Sequence, residues 1–240
     1  MPRHSLTHPD FINTSAPMKY LWICAGLQQE VYKYYAAFCM IEALCIMSGL
    51  GFSIDKESRK PIYNSMRIVN IRPLLPLITV HEFSIHWNIQ THLWLKYYVM
   101  LRLVDRSAPR NAPKNFSTLI TFVVSSIWHG VYPGYIVFFV ACGILTLQTK
   151  IAPKLKVIKA MQRSLPLLVC QILSAVYTHF MVSYWGLAFL FLESELFNKM
   201  FVNYHWIGHW IIVIATTLCF VLPTESASRE SGEQKSKKDK

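Results

Sequence analysis

The chain has 240 residues, 53% of them hydrophobic, and a positive mean hydropathy. Soluble domains run nearer about 45–50% apolar, and the excess here is gathered into long blocks, which excludes an ordinary soluble domain. The formal net charge of +11 does not mark a nucleic-acid partner, because the basic residues cluster at 96–114, 150–163 and in the terminal KSKKDK, each beside an apolar block. No basic stripe on a groove-binding fold is visible. Positive-inside orientation and anionic headgroups account for the charge better.

In chain order, residues 1–17 (MPRHSLTHPDFINTSAP) form a polar N-terminal arm with no apolar core or cleavage site of the signal-peptide kind. Its Asn13-Thr14-Ser15 sequon carries weight only if it is lumenal. Four apolar blocks follow, at 34–52, 116–147, 165–192 and 206–222, each spanning or nearly spanning a hydrocarbon core that needs about 20 residues. The second block is too long for one crossing and holds Pro133-Gly134. That pair is read as a break between two helices, which gives about five transmembrane helices. Tyr and Trp gather at block ends, as in NYHWIGHW at 203–210, where amphipathic rings suit the headgroup level. Between the blocks lie a mixed-charge loop at 53–72 and an aromatic, less oily segment at 81–104, expected to be an interfacial or re-entrant helix. The fold class expected is all-α and polytopic, with a membrane domain over 18–222 and a disordered basic tail over 223–240.

Charge sets the orientation. If the second block is a helical hairpin, the basic clusters on its two sides face one compartment, the cytoplasm by the positive-inside rule. Two further crossings return the tail to the same side. There Lys237 and Lys238, fourth and third from the end, match the dilysine pattern of endoplasmic-reticulum retrieval, with a merely solubilising basic end as the alternative. Six cysteines (Cys24, Cys39, Cys45, Cys142, Cys170, Cys219) lie in or beside apolar segments without a CxxC, and read as small buried hydrophobes. His205 and His209 have the i, i+4 spacing of two metal ligands on a helix, but no third ligand is near. An aromatic belt is the preferred reading and no metal is expected.

Two segments carry chemistry. In HEFSIHWNIQTHLWLKYYVMLRLV (81–104), a helical reading puts Asn88, Thr91, His92, Leu95 and Val99 on one face, with Trp87 and Trp94 on a neighbouring face. Composition alone suits an interfacial helix with aromatic anchors. The amides of Asn88 and Gln90, however, need partners near hydrocarbon. In SSIWHGVYPGY (125–135), a helix starting near Phe116 would carry His129 about 20 Å along its axis, past the middle of a core about 30 Å thick. An ionisable side chain there is costly and reads as functional. The alternative is a core histidine bonded to a neighbouring carbonyl. Gly130 permits close approach, Pro133-Gly134 fixes a turn, and Trp128 and Tyr135 supply walls.

HWNIQTHLWLK followed by SSIWHGVYPGY resembles the membrane-bound O-acyltransferases, in the branch that reacylates lysophospholipids. YKYYAAFCMIEALCIMSGLGF upstream resembles the segment that precedes these motifs in that branch. The resemblance implies Asn88 and His129 as the catalytic pair. It also implies acyl-CoA as co-substrate with no bound cofactor, and acyl transfer to the free hydroxyl of a lysophospholipid. His129 would be the general base, and Asn88 would donate to the oxyanion or orient the reactants. Trp87, Gln90, Thr91, Trp94, Lys96, Trp128, Gly130, Pro133, Gly134 and Tyr135 would bind substrate or shape the cavity. Lys96 and Arg102 face two equal readings, coenzyme A phosphates or lipid headgroups. Family members are usually about twice as long, so the chain resembles their C-terminal half. A missing N-terminal half or a homo-oligomer is then a possible partner beside the membrane lipids. The alternatives are an incomplete or non-catalytic membrane interaction protein, or an acyltransferase for a sterol, diacylglycerol or protein acceptor.

Overall fold

A computed structural model of the chain describes residues 13–74, 79–104 and 114–224. The long helix α1 (Ala16–Met47) opens it, followed by a small antiparallel hairpin of β1 (Ser53–Ile54) and β2 (Pro61–Ile62). Short helices α2 (Ile71–Leu74), α3 (Val80–His86) and α4 (Ile89–Leu95) lead through a π-helical turn at Lys96–Met100 into α5 (Leu101–Leu103). Then come α6 (Lys114–His129), α7 (Pro133–Ile151), a 3₁₀ turn, and the short α8 (Lys156–Ser164). The chain closes with α9 (Leu167–Phe191), α10 (Ser194–Asn203) and α11 (Ile207–Val221). The described architecture is the all-α one that the sequence predicts.

Among the described residues, two helices are long and apolar enough to cross a membrane, Pro133–Lys154 and Leu167–Phe191. A third crossing is available if α10 and α11, bent by 81° at their junction, act as one broken span. The pattern of apolar blocks predicts about five, and the difference has local causes. Residues 34–47 of the first block form the second half of the 32-residue α1, which also carries Lys19, Glu30, Lys33 and Glu42, and the rest of the block is the turn that follows. α6 has 16 residues, about 24 Å at 1.5 Å per residue, short of a core about 30 Å thick. The break in the second block also falls earlier than expected. α6 stops at His129, Gly130 takes φ +132°, and Pro133 already occupies the first turn of α7, where its missing N–H costs nothing. The basic tail from residue 225 onward, including Lys237 and Lys238, lies outside the described residues.

The core sits where α7, α9 and α10 meet, around Leu145, Met181, Leu187, Ala188, Phe191 and Phe201. In lipid there is little hydrophobic drive between helices, so close packing and interhelical hydrogen bonds must hold them. Gly134 supplies the closest approach. Its N–H donates to the Leu192 carbonyl at 2.9 Å. A Cβ there would collide with the Ala188 carbonyl oxygen and lie 2.7 Å from the Leu192 Cα. Gln148 supplies the polar bridge. Its Nε2 donates to the Thr216 hydroxyl at 2.8 Å and the Ile212 carbonyl at 3.2 Å, while the Tyr177 hydroxyl donates to its Oε1 at 2.6 Å. These bonds tie α7 to α9 and α11.

Candidate active site

The segment predicted as one helix over 81–104 is broken at its most polar point. Thr79 caps α3, its hydroxyl accepting from the Glu82 N–H at 3.1 Å, with the acidic residue three positions on that a capping box requires. α3 then ends because Trp87 is extended and Asn88 is left-handed, with φ 46° and ψ 57°. Asparagine is among the few residues that tolerate this region. The preceding loop fastens the bend. The Ile89 N–H donates to the Ile68 carbonyl at 2.7 Å, and the Asn70 N–H donates to the His86 carbonyl at 3.0 Å. Glu42 in turn accepts from the Ile68 N–H at 3.2 Å. The Trp87 ring is packed by Tyr34, Tyr35, Phe38 and Phe83 at centroid distances of 5.3–5.8 Å, which docks the bend on α1. Asn88 therefore starts a new helix instead of lying on the face of an existing one.

His129 is the last residue of α6. The Gly130 N–H closes the final turn onto the Ser126 and Ile127 carbonyls at 3.2 and 3.0 Å, and the positive φ of Gly130 turns the chain away. The imidazole stacks on Phe139 at 4.7 Å and meets the edges or tilted faces of Trp128, Tyr135 and Phe189 at 4.8, 5.7 and 6.1 Å. Among the described residues it makes no hydrogen bond to a carbonyl or hydroxyl, and aromatic rings surround it.

Both residues open onto one cavity of about 980 Å³, walled by α1, α3, α4, α6, α7 and α9. α6 turns a single face to it: Thr118, Thr121, Phe122, Ser125, Trp128 and His129 follow the i, i+3, i+4, i+7 rule. α7 runs antiparallel beside it. Phe139 lies against His129 at one end, and at the other the Lys150 ammonium donates to the Thr118 hydroxyl at 3.2 Å. His81, on α3, and His92, on α4, also line the cavity. Burial, then the charge of Lys150, holds His81 below its ordinary pKa. Burial, then Lys96 and His81, does the same to His92.

Of the residues expected to bind or shape, Trp87, Thr91, Lys96 and Trp128 line this cavity with Asn88 and His129. Thr91 and Trp128 also line a smaller one of about 280 Å³, together with Gln90 and Trp94. Gln90 is not on the main wall because its Nε2 donates to the Arg67 carbonyl at 3.0 Å, pinning the loop that fastens Asn88. Trp94 stacks on Tyr98 at 6.3 Å. Gly130, Pro133, Gly134 and Tyr135 lie off the main wall. Gly130 and Pro133 make the turn, Gly134 packs on α9, and Tyr135 backs His129. Val99 leaves the expected face because the π-helical turn adds a residue to it, and Met100 lines the cavity instead. Arg102 stands over the Tyr98 ring at 5.3 Å and is not on the main wall. Sequence reasoning missed Lys150, Thr146, Ser183 and His179, which also line the cavity. The i+4 spacing of Cys142, Thr146 and Lys150 is a usable signal only once the inward face of α7 is known.

His205 and His209 do not share a helix, since α11 begins after both His205 and Trp206 take positive φ. The Nδ1 of His209 pairs with the Tyr184 hydroxyl at 2.7 Å. No group of three His, Cys, Asp or Glu among the described residues is arranged to hold a metal ion.

The model of the membrane-bound O-acyltransferase family matches residues 1–190. Over 204 residues the chain is 31% identical to lysophospholipid acyltransferase 1 of Arabidopsis thaliana, covering 81% of this chain and 42% of that protein. It is 28% identical over 231 residues to the lysophospholipid acyltransferase of Schizosaccharomyces pombe, covering 89% and 42%. It is also 31% identical over 137 residues to human membrane-bound glycerophospholipid O-acyltransferase 2, covering 57% and 24%. The chain thus spans about two fifths of the length of the first two relatives.

Proposed function

The chain belongs to the membrane-bound O-acyltransferase family, and from that premise we propose that it serves acyl transfer from acyl-CoA to the free hydroxyl of a lysophospholipid. The observation that supports this reading is the convergence of Asn88, at a left-handed bend, and His129, at a helix end, on the wall of one cavity. An alcohol is a poor nucleophile at neutral pH, and a neutral imidazole is the side chain best matched to take its proton. In the reaction the His129 imidazole accepts the hydroxyl proton as the alcohol oxygen bonds to the thioester carbon. The C–S bond then breaks, and the departing thiolate of coenzyme A takes the proton back from the imidazolium. Thiols are far more acidic than alcohols, so this leaving group needs little help. The Asn88 side-chain amide donates to the carbonyl oxygen as it gains charge. The names of the relatives favour a lysophospholipid acceptor over a sterol or protein. The lysine pair Lys237 and Lys238 favours the endoplasmic-reticulum membrane, with the C-terminus in the cytosol.

The test is acyl transfer in microsomes containing this chain, offering labelled oleoyl- and arachidonoyl-coenzyme A with a panel of lysophospholipids. Loss of a general base costs about 10²–10⁴ in rate, and loss of one oxyanion donor about 10²–10³. His129→Ala and Asn88→Ala should fall by those factors at matched expression. Wild-type turnover that survives His129→Ala would remove His129 as the base. A well-expressed chain without turnover would leave a membrane interaction protein that needs the remainder of the family fold.

A further inference from the structure

The α6–α7 hairpin carries a length that singles out one ligand. Two contacts set its register, His129 on Phe139 and Lys150 on Thr118. They lie roughly eleven residues apart on each helix, about 16 Å at 1.5 Å per residue. At one end is the proposed base. At the other is an ammonium whose only partner among the described residues is the Thr118 hydroxyl, with His81 also lining the cavity. Among the described residues the one carboxylate on the cavity wall, Glu30, is held by Lys33 at 2.7 Å. Among the described residues Lys96 and Lys150 thus line the cavity without a carboxylate partner, an arrangement that favours an anion. Between the two ends, Thr146 is 97% removed from solvent and lines the cavity, yet among the described residues its hydroxyl has no hydrogen-bond partner. A buried hydroxyl left unpaired is costly. Thr146 lies one turn from Lys150 toward His129, about 6 Å along the axis.

We propose that Lys150 and Thr118 seat the diphosphate of coenzyme A, and that Thr146 bonds the pantoyl amide, one pantetheine arm away from His129. This rests on the acyl-CoA reading above. The arm joins the sulfur to the nearer phosphorus through roughly thirteen bonds, about 15 Å when extended at 1.2 Å per bond. Its first amide lies roughly five bonds from that phosphorus, about 6 Å by the same measure. The seat therefore matches both the full length of the arm and the position of its inner amide. A lysophospholipid does not match, because its free hydroxyl is only roughly four or five bonds from phosphorus, about 6 Å. With the hydroxyl at His129, the lipid phosphate falls well short of Lys150.

The test measures binding, so it stands apart from turnover. The purified chain in dodecyl maltoside, a detergent without phosphate, is titrated with free coenzyme A, phosphate-free oleoyl-pantetheine and lysophosphatidylcholine. Lys150→Met should weaken coenzyme A by about tenfold or more, the range for a hydrogen bond to a charged group. It should leave oleoyl-pantetheine and lysophosphatidylcholine within about twofold. Lys150→Arg should restore most of the affinity, and the thermal midpoint of each variant controls for folding. Thr146→Val should weaken coenzyme A and oleoyl-pantetheine alike. Coenzyme A that fails to bind, or binds Lys150→Met as tightly as wild type, overturns the seat. A Lys150→Met loss confined to lysophosphatidylcholine reassigns the charge to the lipid phosphate and also overturns it. Thr146→Val without effect removes the amide contact, and with it the ruler. If His129→Ala keeps its turnover while coenzyme A binding follows Lys150, the base assignment falls and the seat stands.

Discussion

Gly134→Ala is a local substitution with a large expected cost. The added Cβ meets only backbone: the Ala188 carbonyl oxygen, the Leu192 Cα at 2.7 Å and the Leu192 oxygen at 3.0 Å. None of these can rotate aside, so α7 and α9 must separate. Overpacking of a tight interior costs about 1–3 kcal/mol, and the backbone setting puts this case at the upper end. Separation also lengthens the bond from the Gly134 N–H to the Leu192 carbonyl, now 2.9 Å, for about 1 kcal/mol more. The total is about 3–4 kcal/mol. At 2–4 °C per kcal/mol for a chain of this size, the thermal midpoint should fall by about 6–16 °C. The assay is thermal unfolding in detergent, followed by loss of the monodisperse peak on gel filtration. Gly49→Ala is the control, since nothing lies within 4 Å of its added Cβ and only its positive φ of 84° is strained. The same movement shifts Phe139 on α7 and Phe189 on α9, both packed on His129, so catalysis should fall along with stability. A Gly134→Ala midpoint within about 2 °C of wild type would refute the claim that this contact fixes the crossing.

Asn88→Gly and Asn88→Ala should lose turnover alike, because both lack the amide. Only Ala should also lose about 1 kcal/mol of stability in the left-handed bend, read from the same midpoints. Tyr177→Phe removes the donor to Gln148 Oε1 and should cost about 1–3 kcal/mol, as a buried acceptor left unpaired does. A neutral result would mean that this bond adds nothing to the packing of α7 on α9. Gly130→Ala meets only ordinary contacts of 3.5 Å and longer, so its cost is conformational, about 1–3 kcal/mol. It should appear as lost turnover, through displacement of His129, as much as lost stability. In the β1–β2 loop the Ser58 backbone N–H at 2.6 Å and the Ser58 hydroxyl hold the Asp55 carboxyl below its ordinary value of 3.8. Its folded pKa is depressed, so the order it gives the loop is present above pH 3.8 and lost as pH falls through the folded value. Amide exchange at Ser58 checks this.

The sequence by itself determined the class of the protein and its two chemical segments. Long apolar blocks and aromatic block ends follow from the thickness and interfaces of a bilayer, which act on composition whatever the packing. The His-Trp-Asn-Ile-Gln-Thr and Trp-His-Gly segments could be singled out because polar groups in apolar surroundings are costly wherever they sit. Only the tertiary structure decided where the helices break. Asn88 reads as one more residue on a helical face until the Ile68 carbonyl takes the Ile89 N–H and holds the left-handed bend. Gln90 reads as a neighbour of Asn88 on the main wall, but its bond to the Arg67 carbonyl leaves it on the smaller cavity. Lys150 reads as one of a basic cluster flanking a span, and becomes part of the site only because α7 packs antiparallel to α6 and brings it to Thr118. Local pattern fixes which residues are costly or helix-forming. Which of them meet depends on helix crossings set by contacts such as Gly134 on Ala188, between residues far apart in the chain.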